Sequence, residues 1–226
     1  MAIKLIALDL DGTLLTSDKK ITTRTKDILA RAMSRGVTVT IATGRMFEAA
    51  LPVAQALGVD VPIISYNGAL IKSPSGRVYE EHPIEPSLAH ALLAFCKERG
   101  WYIQSYSGGV LRYVDACEES RFYENSQKLT GEAVGWDGLF SHAEGNCKLL
   151  LVTKGRAITL ERSEALLGAF GAQVDVTRSA DCLIEIVPKG ISKASALKSL
   201  AGKLGIAIEE TMAIGDAYND LPMLKA

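Results

Sequence analysis

Two aspartates stand two residues apart in the run Asp9-Leu10-Asp11-Gly12-Thr13, immediately after an apolar stretch. Carboxylates at that spacing can share one site and divide the work. One serves as nucleophile and the other as general acid, provided their surroundings push their pKa values apart. Gly12 lets the backbone turn sharply behind them. Toward the other end of the chain, Gly215-Asp216-Ala217-Tyr218-Asn219-Asp220 also follows an apolar stretch. Asp216, Asp220 and Asn219 offer hard oxygen ligands of the kind that Mg2+ takes. Between the two runs, Thr43-Gly44-Arg45 joins a hydroxyl to the free N–H groups of an expected helix start, which makes a seat for an anion. Lys193 sits just inside a helix that Ser192 can cap. A cation there opposes the helix dipole unless an anionic partner offsets it, which supports a phosphate role. Taken singly, each motif also reads as an ordinary turn, helix cap or solvated lysine. The set is far more specific than its members.

Each of these groups needs an element to hold it. Residues 3–8, 37–42 and 62–65 are short apolar runs bounded by turn or helix signals, as buried parallel strands are, and 211–214 is a fourth candidate. Thr22 or Thr23 can cap a helix running to Arg35 and stopping at Gly36, and 46–57 reads as a second helix closed by Gly58. Strand–helix alternation with short joints predicts an α/β fold built on a doubly wound parallel sheet. In such sheets ligands bind outside the carboxyl ends of the strands, which is where the polar motifs fall.

From about residue 83 the rhythm changes. A helix is expected over 86–99, then strands over 101–106 and 110–114 flanking Ser107-Gly108-Gly109, a hairpin signal. A helix over 118–129 follows, then a Gly-rich, poorly patterned stretch through Gly145. Beyond it come a strand at 148–153, a helix at 157–170, and strands at 174–177 and 183–187. Hairpins mixed with helices predict an α+β unit over 83–187, inserted into a core made of 1–82 and 188–226.

Composition narrows the function classes. The chain has 226 residues, 48% of them hydrophobic, enough for one large core or two modest ones. Twenty-five basic side chains against twenty-six acidic ones leave a net charge of -1, with no basic excess to suit nucleic acid or an anionic membrane. The N-terminal run from Met1 to Leu8 is too short for a signal peptide, and no later segment is long and apolar enough to span a bilayer, so a cytoplasmic protein is expected. Cys96, Cys117, Cys147 and Cys182 form no Cys-x-x-Cys pair, and His82, His90 and His142 lack metal-ligand spacing. Reduced, partly buried thiols are therefore expected rather than a zinc site or a disulfide framework.

Together these motifs resemble the haloacid dehalogenase (HAD) superfamily, in its Cof-type branch of sugar- and metabolite-phosphate phosphatases. Asp9 through Thr13 resembles that family's first motif, Thr43 with Gly44 and Arg45 its second, Lys193 its third, and Gly215-Asp216 through Asn219-Asp220 its fourth. Ser65-Tyr66-Asn67-Gly68-Ala69 and Glu185-Ile186-Val187-Pro188-Lys189-Gly190 also look like this branch. The resemblance implies a Rossmann-like core with an inserted α+β cap of type IIB. It also implies that Asp9 attacks phosphorus to form an aspartyl-phosphate, and that Asp11 protonates the leaving oxygen and later activates water. By the same resemblance, Asp9, the Asp11 carbonyl and Asp216 would hold Mg2+, with Asp220 acting mostly through water and Lys193. Thr43, Gly44, Asn219 and Lys193 would grip phosphate. The expected partner is a small phosphorylated metabolite, with no nucleic acid and no membrane. A phosphomutase of the same superfamily and a catalytically idle, metabolite-sensing scaffold are the alternatives, while a dehalogenase would need neither the second aspartate nor a metal. Tyr106, Arg112, Tyr113 and Arg178 are candidates to line the substrate site, although each reads first as an ordinary strand or surface side chain, and Trp101 and Trp136 read as packing. By the same resemblance the family continues past its fourth motif with another strand and helix, so a sequence stopping at Ala226 is expected either to be cut short or to have lost that segment, which would leave the strand before Gly215 as a raw sheet edge.

Overall fold

The computed structural model describes residues 2–226, so Met1 of the apolar N-terminal run lies outside the described residues. Along the chain come β1 (Leu5–Leu8), α1 (Thr23–Met33), β2 (Thr38–Ile41), α2 (Phe47–Leu57), β3 (Ile63–Ser65), β4 (Leu70–Lys72) and β5 (Val78–Glu81). Next are α3 (Pro86–Glu98), β6 (Gln104–Ser107), β7 (Val110–Tyr113), α4 (Glu118–Gln127), β8 (Glu132–Ala133), α5 (Gly135–Ser141), β9 (Asn146–Val152) and α6 (Arg156–Phe170). The strands β10 (Val174–Ala180) and β11 (Leu183–Pro188) precede α7 (Lys193–Lys203), β12 (Thr211–Ile214) and the single turn α8 (Leu221–Leu224). No described helix is long and apolar enough to cross a membrane. The chain divides into two compact units, one running to Glu81 and resuming over Ile191–Ala226, the other His82–Gly190.

The first unit is a doubly wound α/β core. Its parallel sheet has the order β12-β1-β2, with Leu5 opposite both Thr211 and Thr38. Leu5 and Ala7 are buried and pack with Ala196, Leu197, Leu200 and Ala201 of α7. Those four lie at helical spacing, so one stripe of α7 covers one face of β1. α1 and α2 lie against β2, and Thr22 caps α1 by accepting the Thr25 N–H at 3.1 Å. β12 is an edge strand, and its alternate residues Met212 and Ile214 are each 42% exposed.

The strand expected at 62–65 needs a correction. β3 joins β2 through one parallel bridge, Ala42 to Ile64, but on its other side it starts an antiparallel meander with β4 and β5. The strands β4 and β5, three and four residues long with no clear alternation, do not register in a periodicity count. The turn signal for this hairpin lies in Ser73-Pro74-Ser75-Gly76, where Gly76 takes φ +96 and the Ser73 N–H reaches the Arg77 carbonyl at 2.9 Å.

The second unit is α+β. Its six strands run β10-β11-β9-β6-β7-β8, antiparallel except for β7 with β8. Leu149, Leu151, Ile184 and Ile186 form one face of a core with Leu92, Leu93 and Cys96 of α3, Leu139 of α5 and Leu166 of α6. Two expectations fail here. Residues 101–103 are not strand, and β6 instead extends to Ser107, leaving Gly108 and Gly109 alone to turn with φ +60 and +75. Positive φ at both central positions is what a two-residue hairpin turn of the right twist demands. The poorly patterned stretch before Gly145 holds β8 and α5, whose glycine-rich helix hides its period.

Candidate active site

Asp9 stands where β1 ends. Its N–H still bonds the Ile214 carbonyl at 3.0 Å, so the ladder carries the residue to the rim of the sheet before the chain turns. The turn closes through Leu14 N–H to Asp9 O at 3.3 Å and Leu15 N–H to Leu10 O at 2.8 Å. Gly12 takes φ +83, and a Cβ there would come within 2.3 Å of Asp216 Oδ2. A side chain at position 12 would therefore displace the Asp216 carboxylate, and the positive φ disfavours any residue but glycine there.

Lys193 is the first residue of α7, behind Ser192, whose Oγ accepts the Ser195 N–H at 3.2 Å. Its ammonium is wholly buried and donates to Asp9 Oδ1 and Asp220 Oδ1, each at 2.6 Å. The anion that a lysine at this helix end requires is thus supplied by two side chains of the chain itself. Asp220 Oδ2 accepts the N–H groups of Asp216 and Ala217 at 3.1 and 3.0 Å, which shapes the loop after β12. Asp216 Oδ1 accepts the Thr13 hydroxyl at 2.7 Å. As a result, carboxylate oxygens of Asp9, Asp216 and Asp220 lie within 4.8 Å of one another. Asp9 is 5% exposed. Burial pushes its pKa from 3.8 up to about 6; Lys193 pulls it down and Asp220 pushes it up.

Asp11 is placed differently. Arg45 Nε donates to its Oδ2 at 2.7 Å and Nη2 to its Oδ1 at 2.6 Å, while Lys19 Nζ reaches Oδ1 at 2.5 Å. Burial works against the charged form, but the Arg45 fork and then Lys19 outweigh it and hold the carboxyl below its ordinary value. The two aspartates that look alike in sequence therefore have pKa values displaced in opposite directions. Among the described residues, the Asp11 carboxylate is not part of the three-carboxylate cluster and is taken up by Arg45 and Lys19 instead.

Thr43-Gly44-Arg45 leads into α2, which starts at Phe47 with Met46 at its cap, one residue after the expected start. Two bonds hold this stretch out of the helix: Thr43 N–H to Ile64 O, and Tyr66 N–H to Arg45 O, both at 2.9 Å. Thr43 is buried, and its hydroxyl oxygen accepts the Arg45 N–H at 3.1 Å. Asn219 donates from Nδ2 to Asn67 Oδ1 at 2.9 Å, and its own Oδ1 is buried with no hydrogen-bond partner among the described residues. Asn67, with φ +57, also donates its N–H to Thr43 O at 3.0 Å, so it links two motif loops.

Three contributors carried no role in the sequence reading: Arg45 as the partner of Asp11, Lys19 and Asn67. For Asn67 a local signal exists, since Asn-Gly marks a left-handed turn. At Gly68, φ is +106 and a Cβ would lie 2.3 Å from the Ser192 carbonyl oxygen, so the loop packs directly on the start of α7.

Residues 6–226 match a family described as haloacid dehalogenase-like hydrolase. The chain is similar to the phosphatase YwpJ of Bacillus subtilis strain 168, with 30% identity over 246 residues, 99% of this chain and 86% of that one. It is also similar to an HMP-PP phosphatase of Cronobacter sakazakii strain ATCC BAA-894, with 31% identity over 230 residues, 98% of this chain and 80% of that one. Among solved structures, a haloacid dehalogenase-like hydrolase from Bacteroides thetaiotaomicron superposes with a TM-score of 0.87 at 29% identity, covering 99% of this chain and 85% of the other.

Proposed function

This chain belongs to the haloacid dehalogenase-like hydrolases, and from that premise we propose that it is a magnesium-dependent phosphatase acting on a small phosphorylated metabolite through an aspartyl-phosphate at Asp9. The observation that carries the reading is the buried Lys193 ammonium between Asp9 and Asp220, with Asp216 beside them. A carboxylate nucleophile, a fixed cation and hard oxygen ligands converge at one strand end. Both similar curated proteins are named as phosphatases. The four cysteines are free, which supports a reducing, cytoplasmic setting.

The donor set suits Mg2+. Asp220 already uses both oxygens, on Lys193 and on two backbone N–H groups, so it braces the site while Asp9 and Asp216 are left to hold the ion. Mg2+ bound there would polarise the phosphoryl oxygens and offset the negative charge that an arriving phosphate dianion meets. Asp9 attacks phosphorus in line, forming a bond to its carboxylate oxygen as the P–O bond to the leaving group breaks. Lys193 faces the charge that gathers on the phosphoryl oxygens. Asp11 gives its proton to the leaving oxygen, then takes one from the water that attacks the aspartyl-phosphate, and inorganic phosphate departs with Asp9 restored. Thr43, Gly44 and Asn219 are the groups we assign to the phosphate. The unit His82–Gly190 carries none of these residues, and we assign it to substrate selection.

Chelation tests the reading. EDTA should abolish hydrolysis of p-nitrophenyl phosphate and Mg2+ should restore it, with Ca2+ a poor substitute because it prefers looser, higher coordination. Full turnover in metal-free buffer would sink the metal assignment, and no turnover under any metal would favour the idle scaffold. Release of inorganic phosphate, rather than transfer to an added sugar, separates a phosphatase from a phosphomutase.

Arg45 should set the pH profile. It holds Asp11 in the ionised form, whereas the first step needs Asp11 protonated. Arg45→Gln removes the fork, so the Asp11 pKa should rise and the protonated fraction at neutral pH should grow. The alkaline limb of kcat/KM for an alkyl phosphate should therefore move to higher pH. An unmoved limb would show that Arg45 does not govern the protonation of Asp11.

A further inference from the structure

The second unit contains a cavity of about 410 Å³ that none of the motif residues lines. It lies at the end of the sheet where β7 and β9 finish and β6 begins, between α3, α5 and α6. The chain enters and leaves this unit at the other end of these strands, where Ile84 N–H bonds Asn146 O and β11 ends at Pro188. Its volume falls in the range of small-molecule sites.

The walls have a consistent chemistry. The chain has two tryptophans, and both Trp101 and Trp136 line the cavity. Each is half-buried with part of its surface on the core. Among the described residues, neither indole N–H donates to a protein acceptor, although a buried indole normally finds one. A cation stands over each ring, with the Arg162 guanidinium 4.9 Å from the Trp101 centroid and the Lys97 ammonium 5.8 Å from that of Trp136. Neither cation has a carboxylate partner among the described residues. Lys154, also on the wall, is taken up by Glu118 and Glu119 at 3.2 and 3.9 Å. Among the described residues, Asp115 is the acidic wall residue without an ion pair.

We propose that this cavity is a second ligand site, distinct from the phosphate chemistry, which takes a planar aromatic anion. The ring would stack against indole while its carboxylate meets Arg162 and Lys97. Stacking with a cation alongside adds to the charge-assisted contact even in a partly open site. A neutral ring of the same shape lacks the charge-assisted contact, and a cationic one is opposed by the two free cations.

Because the only tryptophans line the cavity, their two indole N–H resonances in a 15N-labelled full chain report on this site directly. The probe is 2-naphthoate, with 2-naphthamide as its uncharged counterpart. Naphthoate should shift both indole resonances saturably with a Kd of about 1 mM or tighter, as its atom count allows. The amide should bind at least about tenfold more weakly, and Arg162→Gln and Lys97→Gln should each weaken naphthoate by a similar factor. Lys97 is exposed, so its variant keeps the test open should the Arg162 variant misfold. Both variants should hydrolyse p-nitrophenyl phosphate as the parent does, which separates this proposal from the phosphatase reading. Unmoved indole resonances, equal binding of acid and amide, or naphthoate affinity unchanged in both variants would each overturn it.

Discussion

Asp9→Asn should leave no turnover above the uncatalysed background, whereas Asp11→Asn should keep a measurable part of it. Removing the nucleophile removes the only route to a phosphoenzyme, and losses of this kind reach about 10⁶-fold where one residue carries the covalent step. Removing a general acid–base costs roughly 10²–10⁴-fold, and less in the first step when the leaving group needs little protonation, as p-nitrophenolate does. The Asp11 variant should therefore fare best on p-nitrophenyl phosphate and worst on alkyl phosphates. Stability should change in the opposite sense to activity. The Asp9 carboxyl has its pKa raised from 3.8 to about 6, so the folded state holds this proton more tightly than the unfolded one. Stability from this group is then fullest below pH 3.8 and is lost as pH rises through about 6. Near neutral pH and without metal, Asp9→Asn should melt higher than the parent, by something on the order of 2–3 kcal/mol. A lower melting point in metal-free buffer would contradict the burial argument.

Lys193→Met should damage both fold and function. The lysine is the shared partner of two buried carboxylates, and deleting one member of a buried charge set costs roughly 3–5 kcal/mol because the others are left unpaired. For a chain of this size that corresponds to a fall in Tm of roughly 10 °C or more. The loss should depend on pH with a definite sign. Lys193 lowers the Asp9 pKa, so without it that value climbs further above its unfolded level. The folded variant then takes up protons more readily than the unfolded chain, and the gap from the parent should close as pH is lowered toward about 5. Turnover should vanish even where the variant is folded, since no fixed cation faces the phosphoryl oxygens. A variant as stable as its parent at neutral pH would mean that the buried triad is not what holds these loops.

Why some of this could be seen in the residues and some could not comes down to range. Asp9, Asp11 and Asp216 stand out because each follows an apolar run that must be a strand, and a polar group just past a buried strand faces the ligand edge of the sheet. Lys193 stood out through a local conflict, a cation at the positive end of a helix. The partners that decide what these groups do come from far away in sequence. Arg45 reaches Asp11 from 34 residues on, and Lys193 reaches Asp9 across 184. No local pattern encodes such pairings. The short strands β4 and β5 and the glycine-rich α5 escape for the opposite reason, being too short or too weakly patterned for a period to register. The hydrogen bonds that shape Thr43-Gly44-Arg45 ahead of α2 come from Ile64 and Tyr66, about twenty residues on, and no local pattern shows them either.

The central claim is that phosphoryl transfer passes through Asp9, and trapping the intermediate tests it most directly. In Asp11→Asn the base for the second step is missing, so with Mg2+ and p-nitrophenyl phosphate the aspartyl-phosphate should accumulate. Intact-mass measurement on acid-quenched samples should show one added phosphoryl group, and reduction with borohydride followed by peptide mapping should locate it at Asp9. The Asp9→Asn, Asp11→Asn double variant should show none. A phosphoryl group mapped to any other residue, or turnover by Asp11→Asn with no labelled protein at any quench time while Asp9→Asn remains equally active, would contradict the account.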